Sequence, residues 1–445
     1  MKVTIIGAAK SGSEAAKLAK RKGYEVFVTE SALSDKFQDT IKEFDELGIN
    51  YEFGGNTDKC FADCDLIITS PGVPPQTKVI QTAEAKNIKI ISELEFAYNY
   101  IKNNKVIAIT GTNGKTTTTS LIHYILEKSG KKSLSLGNIG TPLSKVVDNL
   151  IGDEILVIEV SSYQLDRIDK FKPDIAIILN ITPDHLAYHG TFEQYVDAKW
   201  KITKNQNIDN LLILNKDDQT LGGKFTSNAS KAYFSLQDTN SDIYISEEKL
   251  VISNLQHNKK EELMLTREMR LPGTHNLYNA MAAILACRRM EVRNEDIRDA
   301  LAKFSGVEHR LEFVRNIDGV DYINDSKATN INATWYALSS YKRPIVWIAG
   351  GQGDNNDYKF LDEIVKQHVK TIICIGDEAD SINNHFSAFK SCQKATTFND
   401  AILLAKESAS SGDVVLFTPA CKSFDMFANY EHRGNVFKEI VNSLL

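Results

Sequence analysis

Residues 105–117 read KVIAITGTNGKTT, and the order of residue types there decides the fold. KVIAIT (105–110) is short, apolar and β-branched, as a buried parallel strand should be. TGTNGKTT (110–117) then turns on two glycines and opens onto a helix predicted over 117–129. Backbone N–H groups in such a turn point inward and cradle phosphate oxygens, and the helix N-terminus adds a positive dipole. With this spacing Lys115 reaches the β- and γ-phosphates and the Thr116 hydroxyl sits on Mg²⁺. Gly111, Thr112, Asn113, Gly114 and Thr117 complete the cradle, so the stretch predicts ATP or GTP binding.

Strands alternate with helices on both sides of this motif. Toward the N-terminus the strand candidates are 3–7 (VTIIG), 25–29 (EVFVT), 66–69 (LIIT) and 88–91 (IKII). Beyond the motif come 155–160, 174–181 and 211–214, then a polar stretch over 221–262 read as a small antiparallel excursion. Helices follow at 276–290 and 294–304. A last group of strands, 311–315, 320–323, 345–349, 371–375 and 414–418, is again expected to be separated by helices. Alternation of this kind builds parallel α/β sheets. The predicted architecture is a three-domain α/β protein. It has a Rossmann-like N-terminal domain (1–94), a central P-loop ATPase domain with a parallel sheet (95–305) and a C-terminal Rossmann-like α/β domain (306–445). At about 150 residues per domain, 445 residues fit three.

Lys plus Arg number 52 and Asp plus Glu 58, a net charge of −6. That balance argues against nucleic acid as a partner, because phosphate backbones need a basic surface. No apolar run approaches the ~18 residues of a membrane span. The N-terminus, MKVTIIGAAKSG, passes directly from a short apolar run into a glycine turn, reading as a first strand and not a signal peptide. This implies a cytoplasmic protein; a monomer is the separate expectation. The six cysteines, at 60, 64, 287, 374, 392 and 421, show no zinc spacing and read as reduced thiols.

Other residues carry chemistry by position. Glu159 ends the run ILVIEV, where an acid at the carboxyl end of a parallel strand meets ligands and suits a hard cation. His185 closes NITPDH (180–185) after the next strand, with His189 nearby and unassigned. Lys199, in YVDAKWKI, is by itself indistinguishable from a solvated helix lysine. The turn Gly7-Ala-Ala-Lys-Ser-Gly12 resembles a dinucleotide fingerprint with Ala9 at the middle glycine, and Glu30 ends the following strand as a ribose-binding acid would. A nicotinamide cofactor, a nucleotide-sugar pyrophosphate and a purely structural turn all remain open there.

Taken together, several segments resemble the Mur ligases of peptidoglycan synthesis, in order and along the whole chain. They are TGTNGKTT (110–117), GNIG (137–140), EVSSYQLD (159–166), NITPDH (180–185), DAKWKI (197–202), GTHNLYNA (273–280), EHRLE (308–312), NDSKATN (324–330) and TPACKSFDMFANYEHRGNVF (418–437). Within that family SSYQLD, NDSKATN and PACKSFDMF look like the branch that adds D-glutamate to UDP-N-acetylmuramoyl-L-alanine. A related Mur-type or folylpolyglutamate-type amide ligase using another amino acid is the alternative.

The resemblance implies roles residue by residue. Lys115 and Thr116 would bind ATP phosphates and Mg²⁺. Glu159, His185 and Lys199 would join Thr116 in holding the metal, and Lys115, Glu159, His185 and Lys199 would be catalytic. Lys199 falls where the family carries a carbamylated lysine, an anionic oxygen ligand in place of an ammonium. Asn276 and Asn279 would face adenine, and Arg310 and Asp325 the ATP ribose and phosphates. Ser11, Ser31, Gly72 and Asn138 would contact the UDP-sugar. Lys327, Thr329, Ser423 and Tyr430 would hold the amino acid. The family usually places a Lys after the strand VWIAGG to meet a D-glutamate carboxylate. Here Asp354 stands at that place, and it is expected to point away from the amino acid. The implied reaction runs through an acyl phosphate, with the domains closing around ATP, UDP-N-acetylmuramoyl-L-alanine and D-glutamate.

Overall fold

A computed structural model describes residues 1–138, 140–222, 226–254, 259–271, 273–353 and 356–444. The chain forms two compact units, Met1–Phe304 and Ser305–Leu445. The first contains two sheets and the second contains one.

The N-terminal sheet is built from β1 (Lys2–Ile6), β2 (Glu25–Glu30), β3 (Asn50–Phe53), β4 (Leu66–Thr69) and β5 (Lys89–Ser92). Their order is β3-β2-β1-β4-β5, all parallel. The central sheet uses β6 (Val106–Thr110), β7 (Ser133–Gly137), β8 (Ile155–Glu159), β9 (Ile175–Ile178), β10 (Leu211–Asn215), β11 (Ser230–Ser235), β12 (Ile243–Ser246), β13 (Lys249–Asn254) and β14 (Lys259–Leu265). The order β7-β8-β6-β9-β10-β11-β12 is parallel throughout, and β13 and β14 add antiparallel. The stretch 221–262 is therefore only partly the antiparallel excursion expected. Its first two strands extend the parallel sheet. The link 236–242 is short for a parallel return, and only Phe234 and Ser235 of β11 pair with β12.

β6 lies inside this sheet and is buried on both faces. Ile107 and Ile109 pack on the helices Lys115–Lys128 and Thr274–Arg289. Val106 and Ala108 belong to a core that also takes in Val3, Ile5 and Val28 of the N-terminal sheet, so one apolar core joins the two domains. Two buried carboxylates brace the join. Glu93 accepts from the Ser144 N–H (2.9 Å), and Glu95 accepts from those of Lys170 (2.8 Å) and Phe171 (2.9 Å).

The second unit holds β15 (Glu312–Ile317), β16 (Val320–Asn324), β17 (Ile345–Gly350), β18 (Val369–Ile375), β19 (Ser391–Lys394) and β20 (Val414–Phe417). Their order is β15-β16-β20-β17-β18-β19. All neighbours are parallel except β15 and β16. The expectation of helices between all these strands fails at that pair. Asp318 and Gly319 both have positive φ (51° and 82°), a two-residue hairpin turn of the kind Asp-Gly favours.

Candidate functional site

Gly114, with φ +85°, caps the helix Lys115–Lys128, and a Cβ there would stand 2.3 Å from Asn279 Oδ1. Only glycine allows that approach. Asn279 in turn accepts from Thr118 Oγ1 (3.3 Å) and donates to Asn276 Oδ1 (3.2 Å). Of the two expected adenine-facing residues, Asn279 abuts the turn and Asn276 is bonded to it. The loop is fixed from its other side by Asn180, whose Oδ1 accepts from the Asn113 N–H (2.9 Å) and whose Nδ2 donates to Asn113 O (3.1 Å). Thr112 Oγ1 lies 3.1 Å from both Tyr195 Oη and Thr182 O. Thr116 and Thr117 are buried on the first turn of the helix.

Two lysines converge on this loop. Lys115 Nζ donates to the carbonyls of Gly111 and Thr112, both at 2.9 Å. Lys199 Nζ donates to the same Gly111 carbonyl at 2.8 Å and sits 4.6 Å from the Tyr195 ring centroid. Lys199 is 1% exposed, which removes the solvated-helix reading. Burial, with the Lys115 charge beside it, holds its ammonium well below the ordinary lysine range, against the pull of Asp184 and Glu159.

Glu159 ends β8 deep in the sheet edge. Its Oε1 accepts weakly from Asn138 Nδ2 (3.3 Å), and its Oε2 is buried with no hydrogen-bond partner among the described residues. Gly137 lets the neighbouring backbone close on Glu159, whose carbonyl accepts from the Asn138 N–H (2.9 Å), because a Cβ on Gly137 would lie 2.2 Å from that oxygen. A buried, unpartnered carboxylate oxygen is costly unless something cationic meets it. A carboxylate oxygen of this kind is the hard donor that Mg²⁺ takes. His185 is half-exposed in the left-handed region (φ 53°), with Nε2 3.4 Å from Asp184 Oδ2. Burial of the ring lowers its pKa against the pull of Asp184, and the Lys115 and Lys199 charges act in the same direction as burial. His189 is buried, with Nε2 3.0 Å from Ser162 Oγ and its ring stacked on Tyr163.

In the N-terminal domain Ser11, Ser31 and Gly72 line one pocket of about 430 Å³, together with Gly7, Thr29 and Asn56. Both oxygens of Glu30 are taken by backbone: Oε2 by the Ala8 N–H (2.8 Å) and Oε1 by that of Ala32 (2.9 Å). This acid braces the glycine turn. A wider groove of about 670 Å³, lined by Lys102, Lys105, Lys170 and Lys172, opens at the amino ends of β6 and β9, away from the phosphate loop.

In the second unit Asp325, Lys327 and Thr329 fall on the loop after β16 and Ser423 on the loop after β20, at the carboxyl ends of neighbouring strands, while Arg310 lies just before β15 and Tyr430 opens the helix Tyr430–Ser443. Asp325 is buried, accepting from the Leu311 N–H (3.1 Å) and Thr418 Oγ1 (3.0 Å). Burial pushes its carboxyl up to about 7, against the opposing Arg310 charge. Lys327 Nζ lies 5.7 Å from the Tyr430 ring centroid. Thr329 follows Lys327 on the loop after β16, and Ser423, 2% exposed, sits on the loop after β20. Asp354 lies outside the described residues.

The sequence reading missed Asn180 and Tyr195 as supports of the phosphate loop, and Asp184 as the carboxylate beside His185. It also missed Arg433, which is 1% exposed. Asn180 and Asp184 stand inside NITPDH, so that segment carried a signal. Nothing local marks Tyr195 or Arg433.

The strand–turn–helix with its paired lysines defines a P-loop nucleotide-binding α/β protein. Three family descriptions match the chain: "Mur ligase MurD-like, N-terminal domain" at residues 1–92, "Mur ligase middle domain" at 109–287, and "Mur ligase, glutamate ligase domain" at 309–421. The chain is 40% identical to the UDP-N-acetylmuramoylalanine–D-glutamate ligase of Salinibacter ruber, covering 100% of this chain and 98% of that one. Its identity to the ligase of the same name from Christiangramia forsetii is 40%, covering 100% and 99%. The crystal structure of UDP-N-acetylmuramate-alanine ligase MurC from Thermotoga maritima shares the fold, with TM-score 0.57, 20% identity and coverage of 100% and 99%. The chain belongs to the Mur ligase family.

Proposed function

We propose that this chain joins D-glutamate to UDP-N-acetylmuramoyl-L-alanine, with ATP converted to ADP and phosphate, in peptidoglycan precursor synthesis. The observation that carries this reading is 40% identity along the whole chain to ligases of that name. The buried cation–carboxylate cluster supplies chemistry that suits it. The substrate carboxylate attacks the γ-phosphorus and ADP leaves. The amino group of D-glutamate then attacks the acyl carbon, phosphate leaves, and the amine loses a proton. A free carboxylate is a poor acylating group, and phosphorylation gives it a leaving group.

In this scheme the N–H groups of Gly111–Thr117 and the Lys115 ammonium bind the phosphates and offset charge that builds on the transferred group. Thr116, Glu159, His185 and a carbamate on Lys199 would hold Mg²⁺, which would neutralise phosphate charge. The depressed ammonium of Lys199 favours that modification, because only the neutral amine adds to CO₂. Asn276 and Asn279 face adenine, while Arg310 and Asp325 serve the ribose and phosphates. Ser11, Ser31, Gly72 and Asn138 take the UDP-sugar. Lys327, Thr329, Ser423 and Tyr430 take D-glutamate. We place the domains at 1–94, 95–305 and 306–445, and read the protein as a cytoplasmic monomer that takes small molecules and not nucleic acid. No helix among the described residues is long and apolar enough to cross a membrane.

The test is ADP release with purified protein, Mg²⁺, ATP and UDP-N-acetylmuramoyl-L-alanine, with and without D-glutamate. Sustained release that requires both acceptor and D-glutamate supports the reading. Equal release without them, or none with them, overturns it.

A further inference from the structure

Arg433 is a fully buried guanidinium, and the hydrogen bonds it makes all go to neutral oxygens. Nε donates to Ser326 Oγ (3.0 Å), and Nη2 donates to Ser326 O (2.8 Å) and Cys421 O (3.1 Å). Nη1 donates to Lys422 O (3.1 Å). Its charged plane also lies 5.6 Å from the Phe417 ring centroid.

The placement of these acceptors is what matters. Ser326 immediately precedes Lys327 on the loop after β16. Cys421 and Lys422 immediately precede Ser423 on the loop after β20. Lys422 is also tied through both its backbone groups to Gln352 (2.9 Å each), on the loop after β17. A Cβ on Gly351 would stand 2.4 Å from Lys422 O and 3.1 Å from Arg433 Nη1, so the guanidinium reaches beneath that turn. Ser326 Oγ, while accepting from Arg433, donates to the Tyr430 carbonyl (2.8 Å) at the start of the helix that carries Arg433. One side chain therefore ties two of these loops directly, and the third through Lys422, at the carboxyl edge of the sheet, where open α/β sheets bind ligands. The residue before Cys421, Ala420, is held at φ 59°, a conformation a non-glycine keeps only when its surroundings impose it.

We infer that Arg433 is the positioning residue for the amino-acid end of the site, setting Lys327 and Ser423 at the spacing a dicarboxylate acceptor requires. The inference rests on the proposed D-glutamate reaction. Arginine suits the task because its planar fork reaches several carbonyls at fixed angles, whereas a lysine at the same place offers one point of attachment. The Ser326 and Cys421 carbonyls lose their buried donor once the fork is gone, while Lys422 O keeps the Gln352 N–H, so the loops after β16 and β20 loosen before the sheet beneath them does.

The test compares wild type, Arg433→Lys and Arg433→Ala in steady-state kinetics with each substrate varied in turn, alongside thermal unfolding. The expected result for Arg433→Lys is a rise of about tenfold or more in KM for D-glutamate, with KM for ATP and the UDP-sugar within about twofold. Millimolar guanidinium added to Arg433→Ala should bring the D-glutamate KM back toward wild type. A folded Arg433→Lys with unchanged D-glutamate KM, or one in which all three constants move together, overturns the inference. So does an Arg433→Ala protein that guanidinium leaves unimproved. If wild type itself does not turn over D-glutamate, the proposed reaction has failed, and that control separates the two claims.

Discussion

Gly114→Ala puts a methyl group where the structure leaves none. Two costs can be worked out. Holding alanine at φ +85° costs about 1–2 kcal/mol relative to its preferred backbone regions. The new Cβ, built 2.3 Å from Asn279 Oδ1, must also displace that side chain, breaking its bonds to Thr118 and Asn276 at a cost of about 1 kcal/mol. The sum, about 2–3 kcal/mol, falls on the conformation that cradles phosphate. At 1.4 kcal/mol per factor of ten this predicts a rise in KM for ATP of about 30- to 100-fold. Gly130→Ala is the matched control. Gly130 has nearly the same φ (+79°), with nothing within 4 Å of its Cβ position, just beyond the far end of the same helix. It should lower the unfolding temperature while leaving KM for ATP within about twofold. Initial-rate measurements of ADP release on both variants decide the matter. Equal KM values for ATP in Gly114→Ala and Gly130→Ala would refute the reasoning, because the shared backbone cost would then be the whole effect.

Three further outcomes are expected. Lys115→Ala should keep the fold by circular dichroism and lose ADP formation by about 10²–10³-fold or more. Lys199→Ala should lose most activity and regain part of it with a small carboxylic acid at millimolar concentration, since a soluble carboxylate can occupy the place of a carbamate. The third concerns Asp325, whose folded carboxyl is raised to about 7 from an ordinary value near 4. Between those values the folded chain binds a proton that the unfolded chain has released. The group's stabilising contribution is thus fully present below about pH 4 and is lost as pH rises toward 7. Asp325→Asn should therefore raise the unfolding temperature of the protein more at pH 8 than at pH 5, and a pH-independent difference would contradict the burial argument.

The phosphate loop was legible in the sequence because its chemistry is local: the strand, the glycines, the lysine and the helix start lie within 105–117. The strands with apolar cores were legible for the same reason. β3, β7 and β19 were not, since they are edge strands with polar or half-exposed residues, such as NYEF and SCQK, and carry no buried apolar run. The β15–β16 hairpin had a signal in Asp318-Gly319 that the alternation of strands and helices overshadowed. Lys199 shows the other limit. Its sequence context resembles any amphipathic helix, and only its burial against Gly111, 88 positions away, distinguishes it. Arg433 is harder still, because its partners are mostly backbone carbonyls, to which every residue type contributes alike.

Asp354, an acid where the family usually has a lysine, makes the identity of the amino acid joined the decisive question. The most direct measurement is a competition in one reaction: Mg²⁺, ATP and UDP-N-acetylmuramoyl-L-alanine with D-glutamate, lysine and diaminopimelate at equal concentration, read by the mass of the nucleotide product. The account predicts that the D-glutamate adduct dominates by about tenfold or more, as a site with cationic and hydroxyl contacts should select. Preferential incorporation of lysine or diaminopimelate would contradict it, while leaving the phosphate loop and the acyl-phosphate chemistry in place.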